Sequence, residues 1–426
     1  MRVVRVVAVL VSTTVAGVGG SAAQAPCAPL PPPSGPTIEA WPSDADTLRS
    51  LVAGAATGTT ILLHDGFYDM SGGDGLHRLV FSTPGLTLRS VGGDREAVVL
   101  DGGYVTGELV SIQASDTTIA DLTLQRAYYH PIHASGPDVP IGGVLIHNVR
   151  VVDPGEQAIK VNPVGVGTVD HSVLECSHLE LTDAGRPHIR NNCYTGGLDV
   201  HAATGWLVRR NRVVGFWCEA GLSEHGIHLW RQCVDSVVEE NLVLDCARGI
   251  GFGLGDGVDG HTGGIVRNNF VAAADPDLFA SQSGFDTGIA LWGADGAVAV
   301  HNTVASTQAP FSSMEWRFIT TPVTLANNLV THQILDRGGP ASLAGNLEHV
   351  PTALFADVPS GDLHLVDPAS APVGAALPLA AGLCDADFDG QLRDPAPDVG
   401  ADELGQPLFA DDFESGGTAA WTVTVP

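Results

Sequence analysis

The chain has 426 residues and a formal charge of −28 at pH 7, with 52 Gly, 27 Pro and only 6% aromatic residues. So acidic a chain excludes nucleic acid and anionic membrane as partners, since both would repel it. It admits an acidic polymer only where the surface is locally basic, and residues 121–270 hold 11 of the 20 Lys and Arg and 10 of the 16 His. Abundant Gly and Pro fit many short strands with frequent turns better than a helical bundle.

Residues 1–25 carry two arginines, an apolar run from Val6 to Val18 and small residues at Ser21–Ala25. This is the layout of a signal peptide, and the run is too short to span a bilayer. A secreted or periplasmic monomer without a membrane anchor is expected. Residues 26–43 are Pro-rich and read as a linker. Seven cysteines in an exported chain allow three disulfides, with Cys176–Cys193 and Cys218–Cys233 as local candidates. No C-x-x-C pair occurs, so no zinc site is expected and no metal ligand is assigned.

From residue 44 the sequence predicts a short amphipathic helix, a Gly turn and a first strand (DTLRSLVAGAATGTTILLHDGFYDM). A motif of the form apolar-x-x-Asn-x-apolar then recurs around Asn148, Asn211, Asn241, Asn269, Asn302 and Asn328, with Asp121 and Ser172 in similar places. Each motif is followed by a second strand introduced in most cases by Gly: PIHA (131–134), AIKV (158–161), GLDVH (197–201), GIHL (226–229), GIGF (249–252) and GIAL (288–291). Alternation of period two argues strands, and Asn and Gly between them argue turns. A chain returning to the same two faces on every coil must stack its strands in parallel, with Asn at a left-handed turn bonding the next Asn in a ladder.

The opening helix and the strings LTLRSVGG and AVVLDGG resemble the start of pectate-lyase-type proteins. That resemblance implies an all-β, right-handed parallel β-helix over 44–350, capped by the N-terminal helix. CDADFDGQLRDPAPDVGADE resembles a terminal segment of secreted bacterial β-helix proteins, which implies a C-terminal cap segment over 351–405 and leaves 406–426 as a tail. Asp385, Asp387 and Asp389 with Gly390 are spaced like a calcium loop, so calcium is the one candidate cofactor. The twelfth position is Ala396 where a carboxylate is needed, which favours a structural segment.

Alternation in the second strands points Ile132, Ile159, Leu198, Ile227 and Ile250 inward. His133, Lys160, Asp199 and His228 then stand in one outward column, ending in Gly251 and Ala290. Lys160 is the chain's single lysine, the basic residue whose pKa burial lowers most readily. Removing the proton beside a uronate carboxylate needs a base, a cation on the carboxylate and an acid for the leaving oxygen. Lys160 is the expected base, its pKa lowered. His133, Asp199, His201 and His228 are the other expected catalytic groups, and Arg190, Arg231, Tyr194, Glu224 and His225 the expected substrate contacts.

GLDVHAATGWLVRRNRV (197–213) resembles the catalytic strand of β-helix alginate epimerases, which puts Asp199 and His201 at catalytic positions. Val200 stands where those enzymes have proline, Gly196 where they have tyrosine, and Trp230 near the place of a further aspartate. Lys160 is similar instead to the base of β-helix polysaccharide lyases. The expected function is therefore a lyase or C5-epimerase acting on an acidic polysaccharide. Two other readings stand beside it. A polygalacturonase-like hydrolase would need a second carboxylate near Asp199. A non-catalytic glycan-binding solenoid would use Trp206, Trp217, Trp230 and Trp292 as stacking platforms.

Overall fold

The computed structural model describes residues 27–404, so the expected signal peptide and the 406–426 tail lie outside the described residues. The chain is a parallel β-helix. Three long sheets run its length, one of twelve strands and two of ten, each built from strands that are neighbours in space but a full coil apart in sequence. The expected two faces are thus three. The Asn motif is itself a pair of short strands around a sharp turn, as in Leu207–Arg209 and Arg212–Val214. These belong to the first and second sheets, and the Gly-led strands form the third.

Identical register from coil to coil builds the core. Ile146, Leu174, Val208, Val238, Val266, Ala299 and Leu325 are successive partners in the first sheet, and all are fully buried. At the sharp turn, the left-handed residue is the one before the ladder position: Arg210, Glu240, Asn268, His301 and Asn327 have φ of 54°, 56°, 52°, 50° and 55°. Asn211, Asn241, Asn269, Asn302 and Asn328 follow them and point inward. Each Asn side-chain amide donates to the next Asn carbonyl at 2.9–3.0 Å, and the ladder ends on Asn346. Asn148 and Asp121 sit at the left-handed position (φ 49° and 56°) rather than in the ladder. Ser172 lies at a different corner, before the strand Val173–Glu175. In that coil Ser177 takes the ladder place, its backbone N–H donating to the Asn211 side chain at 2.9 Å.

The helix Ala45–Gly54 forms as expected, burying Ala45, Leu48 and Val52. The solenoid begins earlier than expected, because Thr37–Ala40 in the presumed linker is the first sheet's edge strand, paired with Thr60–Leu63. The C-terminal segment packs along the flank. Phe355, Val358, Leu363, Leu365, Phe388, Val399 and Ala401 cover Leu244, Phe270, Ala272, Ala305 and Leu329 of the second sheet.

The disulfides are Cys27–Cys176 and Cys193–Cys218, not the two local pairs expected from spacing. Cys233 and Cys246 are free because they face the core. Cys176, at a left-handed turn (φ 59°), meets the N-terminal segment. The Asp385, Asp387 and Asp389 carboxylates do not converge on one centre. Asp385 accepts from the Gly382 amide, Asp387 from those of Asp389, Gln391 and Glu403, and Asp389 meets His364 at 2.9 Å.

Candidate active site

On the third sheet the strands His130–Ala134, Gln157–Val161, Gly196–His201, His225–Trp230, Arg248–Phe252 and Thr287–Trp292 pair in parallel. Register makes His133, Lys160, Asp199, His228, Gly251 and Ala290 successive neighbours. Alternation alone was enough to find this column. What it could not supply is the cover. Lys160 is 6%, Asp199 1% and His228 0% exposed, and the 182–195 loop crosses this face to reach Lys160 through Tyr194. The Arg190 amide donates to the Gly155 carbonyl, Thr195 to the Glu156 carbonyl, and Asn191 to the Glu156 carboxylate. The Cys193–Cys218 disulfide fastens the loop to the next coil.

The loop lowers Tyr194 onto the lysine. The Lys160 ammonium donates to the Asp199 carboxylate, to the Tyr194 hydroxyl at 2.9 Å and to His201 Nε2 at 3.0 Å. Three N–H donors meet three acceptors. Burial pulls the amine down, but the Asp199 charge and the Tyr194 contact outweigh it and hold the Lys160 pKa above its ordinary 10.5. The expected lowering is therefore corrected: the resting lysine is a cation, because its nearest partner is a buried carboxylate. Burial pushes Asp199 up, yet the contacts with His201 and Lys160 leave it far below the ordinary carboxylate range. Trp230, in register with His201, donates to Asp199 Oδ1 at 2.8 Å. The sequence places Trp230 only near the position of a further aspartate or as a stacking platform, and the register with His201 is what joins it to this cluster.

His201 Nε2 lies between two partners, Lys160 Nζ at 3.0 Å and Asp199 Oδ1 at 3.2 Å. Unprotonated, that nitrogen accepts from the lysine; protonated, it donates to the carboxylate. That nitrogen thus has a partner in either state. A group that takes up and returns a proton needs this property.

The other expected residues divide. His228 Nε2 lies 3.1 Å from the Gly253 carbonyl oxygen, and its Nδ1 is 3.3 Å from Glu224 Oε2. His225 is fully buried with its ring 4.2 Å from that of His228. Burial holds the His225 pKa well below 6.5, so this imidazole is neutral. His133 is tied between Glu108 and Asn162. Arg190 stacks at 4.0 Å over the Tyr128 ring and is not joined to the Lys160 cluster by any described contact. Arg231 is exposed in the turn after Trp230. Trp206, Trp217 and Trp292 are 0%, 6% and 2% exposed, so they pack in or against the coils and offer no stacking platform. A hollow of about 730 Å³ lies beside the cover loop, lined by Arg186, Ile189, Asn192, Trp217 and the Cys193–Cys218 bridge.

No protein-family model and no curated protein matches the sequence. Among solved structures, pectate lyase Pel9A superposes with a TM-score of 0.58 at 12% identity, covering 87% of this chain and 97% of that one. An alginate lyase from Paenibacillus sp. str. FPU-7 superposes with a TM-score of 0.50 at 16% identity, covering 74% and 99%. At such identities the likeness is one of fold, and the fold it supports is the parallel β-helix.

Proposed function

We propose that this is an exported protein that acts on an acidic polysaccharide, removing the C5 proton of a uronate residue so that elimination or epimerisation follows. The observation that carries this reading is the buried Lys160 ammonium with Tyr194 and His201 both within about hydrogen-bond reach of its nitrogen. The fold likeness to a pectate lyase and an alginate lyase, each named for a polyuronate, is compatible with it. Lys160 supplies positive charge to a uronate carboxylate rather than acting as the base, and the N–H it gives to His201 is released for that carboxylate when His201 turns to Asp199. Proton transfer falls to its two neighbours. His201, satisfied with or without a proton on Nε2, takes the C5 proton. Tyr194, whose oxygen already accepts from Lys160, keeps its own proton free to donate to the leaving oxygen. Asp199 and Trp230 hold the lysine and the imidazole in place. Arg231 is the proposed contact for a neighbouring uronate. Hydrolysis fits less well, because Asp199 has Lys160 and His228 as its column neighbours and no carboxylate.

The test is incubation with alginate, pectate and glucuronan, following unsaturated uronate by ultraviolet absorbance and the uronate ratio by NMR. Lys160→Met, His201→Gln and Tyr194→Phe are each expected to lower the rate by about 10²–10⁴-fold. New reducing ends without unsaturation would contradict the reading in favour of hydrolysis, and binding without any product would contradict it in favour of a glycan-binding solenoid.

A further inference from the structure

Glu224, His225 and His228 fall in one five-residue stretch, Glu-His-Gly-Ile-His, at the entry to a third-sheet strand. In a regular strand, positions three apart face opposite sides. Here the strand is bent. A Cβ on Gly226 would meet Val213, Val243 and Cys246, so Gly226 faces the core, and Ile227 beside it is fully buried in the same core. Two consecutive inward positions put both imidazoles on the outer face. Gly251, next in the column, leaves room for them: a Cβ there would lie 2.7 Å from the His225 ring.

The donor atoms of this cluster make no hydrogen bond outside it. Both His225 nitrogens, His228 Nδ1 and Glu224 Oε2 are buried without a hydrogen-bond partner. One donor atom from each of the three residues lies within 4.8 Å of the others. His228 Nε2 faces the Gly253 carbonyl, an arrangement that places the ring proton there and leaves the Nδ1 lone pair toward Glu224. A backbone carbonyl holding the far nitrogen of a histidine is the usual support of a metal ligand. His228 Nδ1 and Glu224 Oε2 are 3.3 Å apart, and a tetrahedron with bonds of about 2.0–2.1 Å has an edge of about 3.3 Å.

We infer that Glu224, His225 and His228 form a binding site for a divalent transition-metal ion. Two imidazoles and one carboxylate suit zinc or cobalt, whereas calcium takes oxygen ligands. Asp199, the column neighbour of His228, adds negative charge nearby. Arg248, in register with His225, turns to Asp286 at 3.0 Å. The Glu224 side chain is 22% exposed and opens the site to solvent. This inference does not rest on the proposed proton transfer, and the test below needs no substrate.

The experiment uses untagged full-length protein, stripped with chelator and titrated with Zn²⁺ by calorimetry and with Co²⁺ by visible absorption. One equivalent should bind, and Co²⁺ should give the intense d–d bands of a low-coordinate nitrogen-containing site. Glu224→Gln, at a partly exposed position, should weaken binding by about tenfold or more. His228→Gln should abolish the Co²⁺ bands, with the far-ultraviolet circular dichroism of both variants unchanged. Asp389→Asn, in the separate His364–Asp389–Asp402 cluster, should leave both readouts as they are. The inference is overturned by Zn²⁺ affinity no tighter than millimolar, by binding unaltered in Glu224→Gln, or by binding lost in Asp389→Asn instead.

Discussion

A buried ammonium is stable only beside a carboxylate equally withdrawn from water, and Lys160 and Asp199 meet that condition with side chains 7% and 2% exposed. Removing one partner strands the other charge. Asp199→Ala is therefore expected to cost about 3–5 kcal/mol, read as a lower urea midpoint, while the joint Lys160→Met, Asp199→Leu replacement costs far less. The pH dependence follows from the directions of the two shifts. Asp199 titrates lower in the fold than in the unfolded chain, so its contribution is complete above the ordinary carboxylate range and is lost as pH falls through its depressed folded value. Lys160 titrates higher in the fold, so its contribution is complete below 10.5 and is lost as pH rises through its folded value. Between those limits the pair is silent. Urea midpoints of wild type and of the joint replacement should then differ by a constant amount from about pH 5 to 9.

The strand elements show what a repeat makes legible and what it hides. Alternation in IKV, LDV and IHL was sufficient to place Lys160, Asp199 and His228 side by side, because inward Ile, Leu and Val positions leave no choice for the residues between them. The Asn motif is legible as a turn, but its left-handed place is the residue before the ladder Asn: that place accepts Arg210, Glu240 and His301 as readily as Asn268, and the ladder place next to it is the one that selects Asn. The inward glycine, Gly226 here and Gly197, Gly249 and Gly288 in other coils, breaks the period-two alternation, so alternation alone sets His225 on the face opposite His228. The cover over Lys160 was hidden too, since it depends on a loop pinned by contacts to Gly155 and Glu156 far from it in sequence. The ladder carries its own prediction. Asn241 accepts from the Asn211 amide and side chain and donates to Asn269, Val208 and Glu239. Asn241→Ala should cost about 3 kcal/mol, since it strands several buried groups. Asn346→Ala, at the ladder's half-exposed end, should cost about 1 kcal/mol; chemical denaturation of the two variants makes the comparison.

For the whole molecule, the C-terminal segment closes an apolar flank that the solenoid cannot hide alone. Ending the chain after residue 350 would expose Leu244, Phe270 and Leu329, and such a truncation should bind a hydrophobic dye and aggregate on heating. Buried histidines set the acid limit. Burial lowers His130 and His178 to about 4 and His261 and His301 to about 3. Groups with depressed folded values destabilise as pH falls from the ordinary 6.5 through those values. His364 works the other way. Burial pulls it down, but the Asp389 and Asp362 carboxylates outweigh that and raise it to about 9, so its contribution is complete below 6.5 and lost as pH rises through 9. Thermal melts across pH should therefore show the highest Tm near neutrality. Proton removal at C5 is read by following the H5 resonance of uronate residues in alginate, pectate and glucuronan during incubation with the protein in D₂O. Elimination and epimerisation both remove that proton, so the wild-type protein should deplete H5 in at least one polymer and Lys160→Met should leave it in place. Intact H5 in all three polymers with wild-type protein, or depletion undiminished in Lys160→Met, would contradict the account.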